Sequence, residues 1–210
     1  KSINASVKEV IPFKSTWRVG NPSYGDGDLS VSLPLRSGFN YNFTVDWGDG
    51  ETDEITSYND PDLDHLYNNS GDYQITITGL VEAWHFANTG DKDKILSIEE
   101  LGRVGWRSFQ DAFWGCDNLT TVSGGDTSNV TDMAWMFDRA ASVVPDTRTW
   151  KTSNVKTMVG LFYGASSADP DVSNWDVSNV TDMEAMFFNA TSANPDVSDW
   201  DTSNVQIVIN

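Results

Sequence analysis

Basic residues are scarce: thirteen lysines and arginines stand against 31 aspartates and glutamates, a formal charge of −18. A surface of that sign repels phosphate backbones and anionic membranes, so nucleic acid is the least favoured partner. Its plainest consequence is a well-solvated exterior. Cysteine is scarcer still. Cys116 stands alone, which rules out an internal disulfide and a thiolate zinc site. Two histidines, His65 and His85, leave little room for imidazole chemistry. No apolar run approaches the roughly 18 residues needed to cross a bilayer, which argues against membrane insertion. No secretory leader is visible, and a chain opening at Lys1 reads as an excised or processed segment. What is present, 39% hydrophobic and 12% aromatic residues, suffices for the cores of two modest domains.

The last third of the chain repeats itself with a step of 25 residues. Asp126-Thr-Ser-Asn-Val-Thr-Asp-Met133, Lys151-Thr-Ser-Asn-Val-Lys-Thr-Met158, Asp176-Val-Ser-Asn-Val-Thr-Asp-Met183 and Asp201-Thr-Ser-Asn-Val205 align. So do Phe137, Phe162 and Phe187, and the tryptophans Trp150, Trp175 and Trp200. Such a period signals a stacked-repeat architecture. Val180, Met183, Met186 and Phe187 fall at helical spacing behind the capping residues Ser178 and Asn179, which predicts one or two helical turns per copy. Val172, Trp175 and Val177 suit a short strand, with Pro170 ending the helix before it. Asn154, Asn179 and Asn204 would form a ladder that satisfies backbone groups at a corner. A single copy buries too little apolar surface to offset the entropy of ordering its backbone, so the copies must stack.

Upstream, strict alternation predicts strands. Phe13, Trp17 and Val19 mark one, Leu29 to Leu35 a second, Tyr41 to Trp47 a third, and Tyr73, Ile75 and Ile77 a fourth. Turn chemistry separates them at Asn21-Pro-Ser-Tyr-Gly-Asp-Gly-Asp28 and Gly48-Asp-Gly50. Beyond residue 80, Ile95 to Ile98 reads as a short strand, and Phe109, Ala112, Phe113 and Cys116 share a helical face in a divergent first copy. The expected fold class is α+β: an immunoglobulin-like β-sandwich followed by a solenoid of strand/helix repeats. The expected boundaries are a lead-in at 1–10, the sandwich at 11–80 and the array at 81–210. Within the array, the divergent copy covers about 95–125, regular copies cover 126–150, 151–175 and 176–200, and a partial copy covers 201–210.

Val45-Asp-Trp-Gly-Asp-Gly50, then His65-Leu-Tyr67 and Gly71-Asp-Tyr73, resemble the polycystic-kidney-disease (PKD) type of immunoglobulin-like domain. The resemblance implies structural roles for these residues. Joined to Phe113-Trp-Gly-Cys-Asp-Asn-Leu119 and the Ser-Asn-Val-Thr-Asp-Met copies, the chain resembles BspA-type leucine-rich-repeat bacterial surface proteins. That resemblance implies a cell-surface or secreted location and adhesion, with no shared catalytic residues.

The expected function is therefore non-enzymatic binding to a protein or glycan on another cell surface, within a larger protein carrying further repeats or domains. A structural spacer is the alternative, and a carbohydrate-active enzyme or its accessory domain ranks third. The first candidate binding surface is the strand face, where Thr149, Asn174 and Asp199 with Lys151, Asp176 and Asp201 alternate with inward tryptophans. The second is an aromatic row, Trp114, Tyr163 and Phe188, able to stack on sugars or anchor a protein. Asp60, Asp62 and Asp64 alternate in a loop as hard-cation ligands do, making calcium the only candidate cofactor. Against an EF-hand loop the segment fails, with His65 where glycine belongs.

Overall fold

The computed structural model describes residues 9–206; the opening of the lead-in and the last residues of the partial copy fall outside this range. Nine strands are assigned within it: β1 (Phe13–Val19), β2 (Ser30–Ser32), β3 (Tyr41–Asp46), β4 (Thr52–Ile55), β5 (Asp64–Leu66), β6 (Gly71–Val81), β7 (Ile95–Glu100), β8 (Thr121–Val122) and β9 (Val144–Pro145). Alternation decides which faces are buried. Phe13, Ser15, Trp17 and Val19 of β1 are inside, while Lys14, Thr16 and Arg18 are half-buried on the other face. One sheet runs β4-β3-β6-β1-β7-β8-β9, and β2 pairs with β5 in a second, two-stranded sheet.

The long sheet changes character partway across. From β4 to β7 every pairing is antiparallel, whereas β7-β8 and β8-β9 are parallel. The pivot is β1, flanked by β6 and β7, so the N-terminal sheet continues without a break into the edge of the repeats. Lys94 holds the joint. Its side chain is fully buried, and Nζ lies 2.9 Å from Asp26, 2.6 Å from Asp28 and 2.7 Å from Asp91 while donating to the Ser30 carbonyl at 3.0 Å. Burial opposes the charge, but the three carboxylates outweigh it and raise the Lys94 pKa, so the ammonium stays charged. At the other end of this unit Trp47 stacks on His65 at 4.7 Å, His65 Nε2 is 2.8 Å from Asp49, and the Tyr67 hydroxyl donates to the Trp47 carbonyl at 3.0 Å. Tyr67 in turn stacks on Tyr73 at 3.9 Å, so residues of all three motifs interlock as packing.

The repeats contain no helix, which corrects the α+β expectation: the described residues are mostly β with a mixed sheet, and their only helical element is a single 3-10 turn at Pro61–Leu63. Each copy instead carries two left-handed residues four apart. Asp111, Trp135, Gly160 and Ala185 have φ of 56°, 56°, 57° and 53°, and Gly115, Arg139, Gly164 and Asn189 have 72°, 56°, 65° and 57°. A right-handed helix cannot pass through such residues. Their amides point along the stack: Met133, Trp135, Phe137 and Arg139 donate to the carbonyls of Thr157, Val159, Leu161 and Tyr163 in the following turn. The helical spacing of the apolar residues is real, but the backbone satisfies itself between copies rather than within one.

The strand expected at Val172 to Val177 is also replaced by turns, Trp175 N–H bonding to Val172 O and Val180 N–H to Val177 O. Beside the parallel pairing of β7, β8 and β9, one residue per turn keeps a parallel bridge in register, through Ala83, Ser108, Asp132, Thr157 and Asp182. Inside, the phenylalanines stack: Phe113 on Phe137 at 5.7 Å, Phe137 on Phe162 at 5.6 Å and Phe162 on Phe187 at 5.5 Å. Trp150 and Trp175 continue the pattern at 6.1 Å. The asparagine ladder forms, Asn154, Asn179 and Asn204 donating to the carbonyls of Ser128, Ser153 and Ser178 at 2.7, 2.9 and 2.7 Å.

Candidate binding cleft

Thr149, Lys151, Asn174, Asp176, Asp199 and Asp201 are all exposed along one side of the stack. Two of the three carboxylates among them, those of Asp176 and Asp201, are already engaged by their own turns. Asp176 Oδ1 accepts from Ser178 N at 3.1 Å and Ser178 Oγ at 2.6 Å, and Asp201 Oδ1 accepts from Ser203 N at 3.1 Å. These bonds hold both carboxyls below the usual range. Asp171 and Asp196 close equivalent turns with Ser173 and Ser198. The acidic columns therefore shape the corners of the stack. Between them, buried threonines tie turn to turn. Thr127 Oγ1 donates to Lys151 O at 3.0 Å and accepts from Lys151 N at 2.7 Å, while Thr147 and Thr152 donate to Asp171 O and Asp176 O.

The calcium reading of Asp60, Asp62 and Asp64 is not carried through. Asp60 caps the 3-10 turn, accepting from Thr56 and from Asp62 N, so its carboxylate faces its own backbone. Among the described residues no group of three or more His, Cys, Asp or Glu converges as a metal site.

The aromatic row has a different character. Tyr163 stacks on Phe188 at 4.9 Å, and Phe188 remains 43% exposed, so the row faces outward. Between Trp114 and Tyr163 the intervening copy breaks the row with Asp138. Trp135, from the left-handed column of that copy, leans in and reaches Tyr163 at 5.9 Å. The gap is an open cleft of about 500 Å³ lined by Gln110, Asp111, Trp114, Trp135, Asp138, Arg139 and Tyr163. Three aromatic rings and two carboxylates from successive turns meet there.

One of the two carboxylates is poorly satisfied. Asp138 is 5% exposed, its Oδ1 has no hydrogen-bond partner, and Arg139 Nε at 3.7 Å is within ion-pair range but too far to donate. Burial pushes the Asp138 carboxyl above its ordinary range; Arg139 offsets this in part and Asp111 reinforces it. Asp111 is raised by burial too, moderated by His85 and Arg36. Behind it His85 Nδ1 lies 3.0 Å from Gln110 O and 3.8 Å from Asp111, and Arg36 donates to Gln110 Oε1 at 3.0 Å. Trp114 Nε1 is likewise buried without a partner. A donor and an acceptor, both unmatched, thus belong to residues of one aromatic-lined cleft.

Of the residues lining this cleft, sequence reasoning named Trp114 and Tyr163 but not Trp135 and Asp138, and Phe188, the third of its row, lies outside the lining. Trp135 occupies a column otherwise filled by Asp111, Gly160 and Ala185, so no repeat rule marks it. Asp138 had a signal, being the one non-aromatic residue in the column of Trp114, Tyr163 and Phe188.

Residues 107–210 match the family described as Mycoplasma protein of unknown function, DUF285. This covers the repeats and the cleft, leaves the N-terminal sheet unmatched, and agrees with a bacterial reading. The match carries that description alone, so the PKD-type and BspA-type resemblances rest on the residues that suggest them. No curated protein and no solved structure matches the chain.

Proposed function

We propose that this chain is a non-enzymatic binding module of a bacterial surface or secreted protein, a PKD-like sandwich leading into a leucine-rich-repeat-like solenoid that attaches to a protein or glycan on another cell. The observation that carries this reading is the outward row of Trp114, Tyr163 and Phe188, widened by Trp135 into a cleft. Phe188 is exposed and Trp114, Trp135 and Tyr163 are half-buried beside it or around the cleft, and aromatics grouped on one face supply large, rigid contact area at low entropic cost and commonly anchor partners. This favours the aromatic row over the strand face, where Asp176 and Asp201 are occupied in closing turns. Cys116 supports a non-enzymatic role: it is fully buried, and burial raises its thiol well above the ordinary value, which leaves it a poor nucleophile.

The test is attachment of the purified chain to intact partner cells, with Tyr163→Ala and Phe188→Ala combined in one variant and Asp176→Ala with Asp201→Ala in another. The aromatic variant should lose attachment while keeping a cooperative melt, and the aspartate variant should retain it. Attachment indifferent to the aromatic pair would overturn the reading and favour a spacer.

A further inference from the structure

We propose that the cleft takes the ring of a neutral hexopyranose unit within a glycan chain, with Asp138 as its polar anchor. This rests on the binding-module reading above and names the ligand class. The warrant is the pairing of unmet polar groups with flat apolar walls. Asp138 Oδ1 needs a donor, and Trp114 Nε1 needs an acceptor. An ammonium group cannot accept and a carboxylate cannot donate, whereas a sugar hydroxyl does both. The C–H face of a pyranose is apolar and matches the aromatic faces of Trp135 and Tyr163, whose centroids lie 5.9 Å apart.

Charge separates the neutral sugar from its rivals. Asp111, Asp138 and the overall charge of −18 disfavour an anionic sugar. Arg139 at the rim and Arg36 behind Gln110 offset part of that charge and so lessen the pull on a cationic peptide side chain. Trp135 has φ of 56°, the left-handed turn that every copy makes at this position, and its ring lines the cleft.

The test is calorimetric titration of the intact chain with neutral trisaccharides of glucose, galactose, mannose and N-acetylglucosamine, in α and β linkage, beside a trisaccharide ending in sialic acid and a lysine-rich peptide. At least one neutral trisaccharide should bind. Asp138→Asn should weaken that binding by roughly tenfold or more, since hydrogen bonds to a charged group are the stronger kind. Tyr163→Ala should weaken it comparably, and Asp176→Ala should leave it unchanged. Failure of every neutral trisaccharide to bind would overturn the proposal, as would binding untouched by both Asp138→Asn and Tyr163→Ala, or binding of only the sialylated sugar or the peptide. If the sugars fail while Tyr163→Ala with Phe188→Ala still abolishes attachment to cells, the sugar class is wrong and the aromatic binding surface stands. If attachment ignores the aromatic pair as well, both fall.

Discussion

Trp135 rests on the bare α-carbon of Gly160, so close that a β-carbon at 160 would collide with the six-membered ring of the indole. Gly160 itself has φ of 57°, so its lack of a side chain serves both the turn and the tryptophan laid over it. One wall of the cleft is therefore set by a glycine in the next copy.

Gly160→Ala should push Trp135 off its seat and cost about 1–3 kcal/mol in urea unfolding, as overpacked sites do. Gly164→Ala is the contrast. Its β-carbon would meet Arg139 at an ordinary 3.5 Å, although at a φ of 65° it carries backbone strain as well. Tryptophan emission of the folded protein should change with Gly160→Ala and stay nearly constant with Gly164→Ala. Equal emission from both variants would contradict the placement of Trp135.

Thr127→Val should cost about 1–3 kcal/mol, because the N–H and carbonyl of Lys151 both lose their partner on the buried side of the turn, where Thr127 itself is fully enclosed. Thr127→Ser keeps the hydroxyl and should recover most of that loss. A valine variant as stable as the parent would show that the threonine column does not bind turn to turn.

The N-terminal sheet was largely legible in the sequence because period-two alternation maps onto strands directly, as Phe13, Trp17 and Val19 show. The repeats were legible in their step and their buried residues, but not in their backbone. Met183, Met186 and Phe187 sit at helical spacing on an inward face, yet Ala185 lies between them at φ of 53°, and nothing about an alanine announces a left-handed residue. At the same position in the preceding copy stands Gly160, the clearest local hint that the chain does not continue as a helix. The cleft was half legible: a repeat rule reveals a column of like residues, whereas this site is made by Asp138 and Trp135, which break the rule.

Lys94→Met should be among the most damaging single changes outside the aromatic core. It leaves Asp26, Asp28 and Asp91 facing one another around an apolar side chain. Loss of one partner from a buried ionic cluster costs about 3–5 kcal/mol, a figure reduced here because Asp26 and Asp28 are half exposed to water. Thermal unfolding followed by circular dichroism measures it. A melting temperature unchanged by Lys94→Met would remove the lysine as the pin of the joint.

Stability should peak in mild acid. Burial raises the carboxyls of Asp111, Asp132 and Asp138, so each ionises more readily in the unfolded chain and weakens the fold at neutral pH. That penalty fades as pH falls through their folded values. Asp28 behaves oppositely: burial alone would raise it, but Lys94 and Ser30 lower it to about 2, and Asp49 and Asp72 are lowered by His65 and Arg18. Their stabilisation is complete above the ordinary carboxylate range of about 4 and is lost as pH drops toward their folded values. The melting temperature should rise modestly as pH falls from neutrality toward the ordinary carboxylate value of about 4, and fall below it. Asp138→Asn should flatten the rise.

The most direct measurement of the central claim follows the indole N–H resonances of ¹⁵N-labelled protein during titration with the neutral trisaccharide that binds. Trp114 and Trp135 belong to the cleft, while Trp150 and Trp175 stack in the core behind the strand face and Trp200 extends that tryptophan column. The account predicts that the Trp114 and Trp135 signals move with saturation while those of Trp150, Trp175 and Trp200 hold still. Movement confined to Trp150, Trp175 and Trp200 would place the ligand on the opposite candidate face and contradict it.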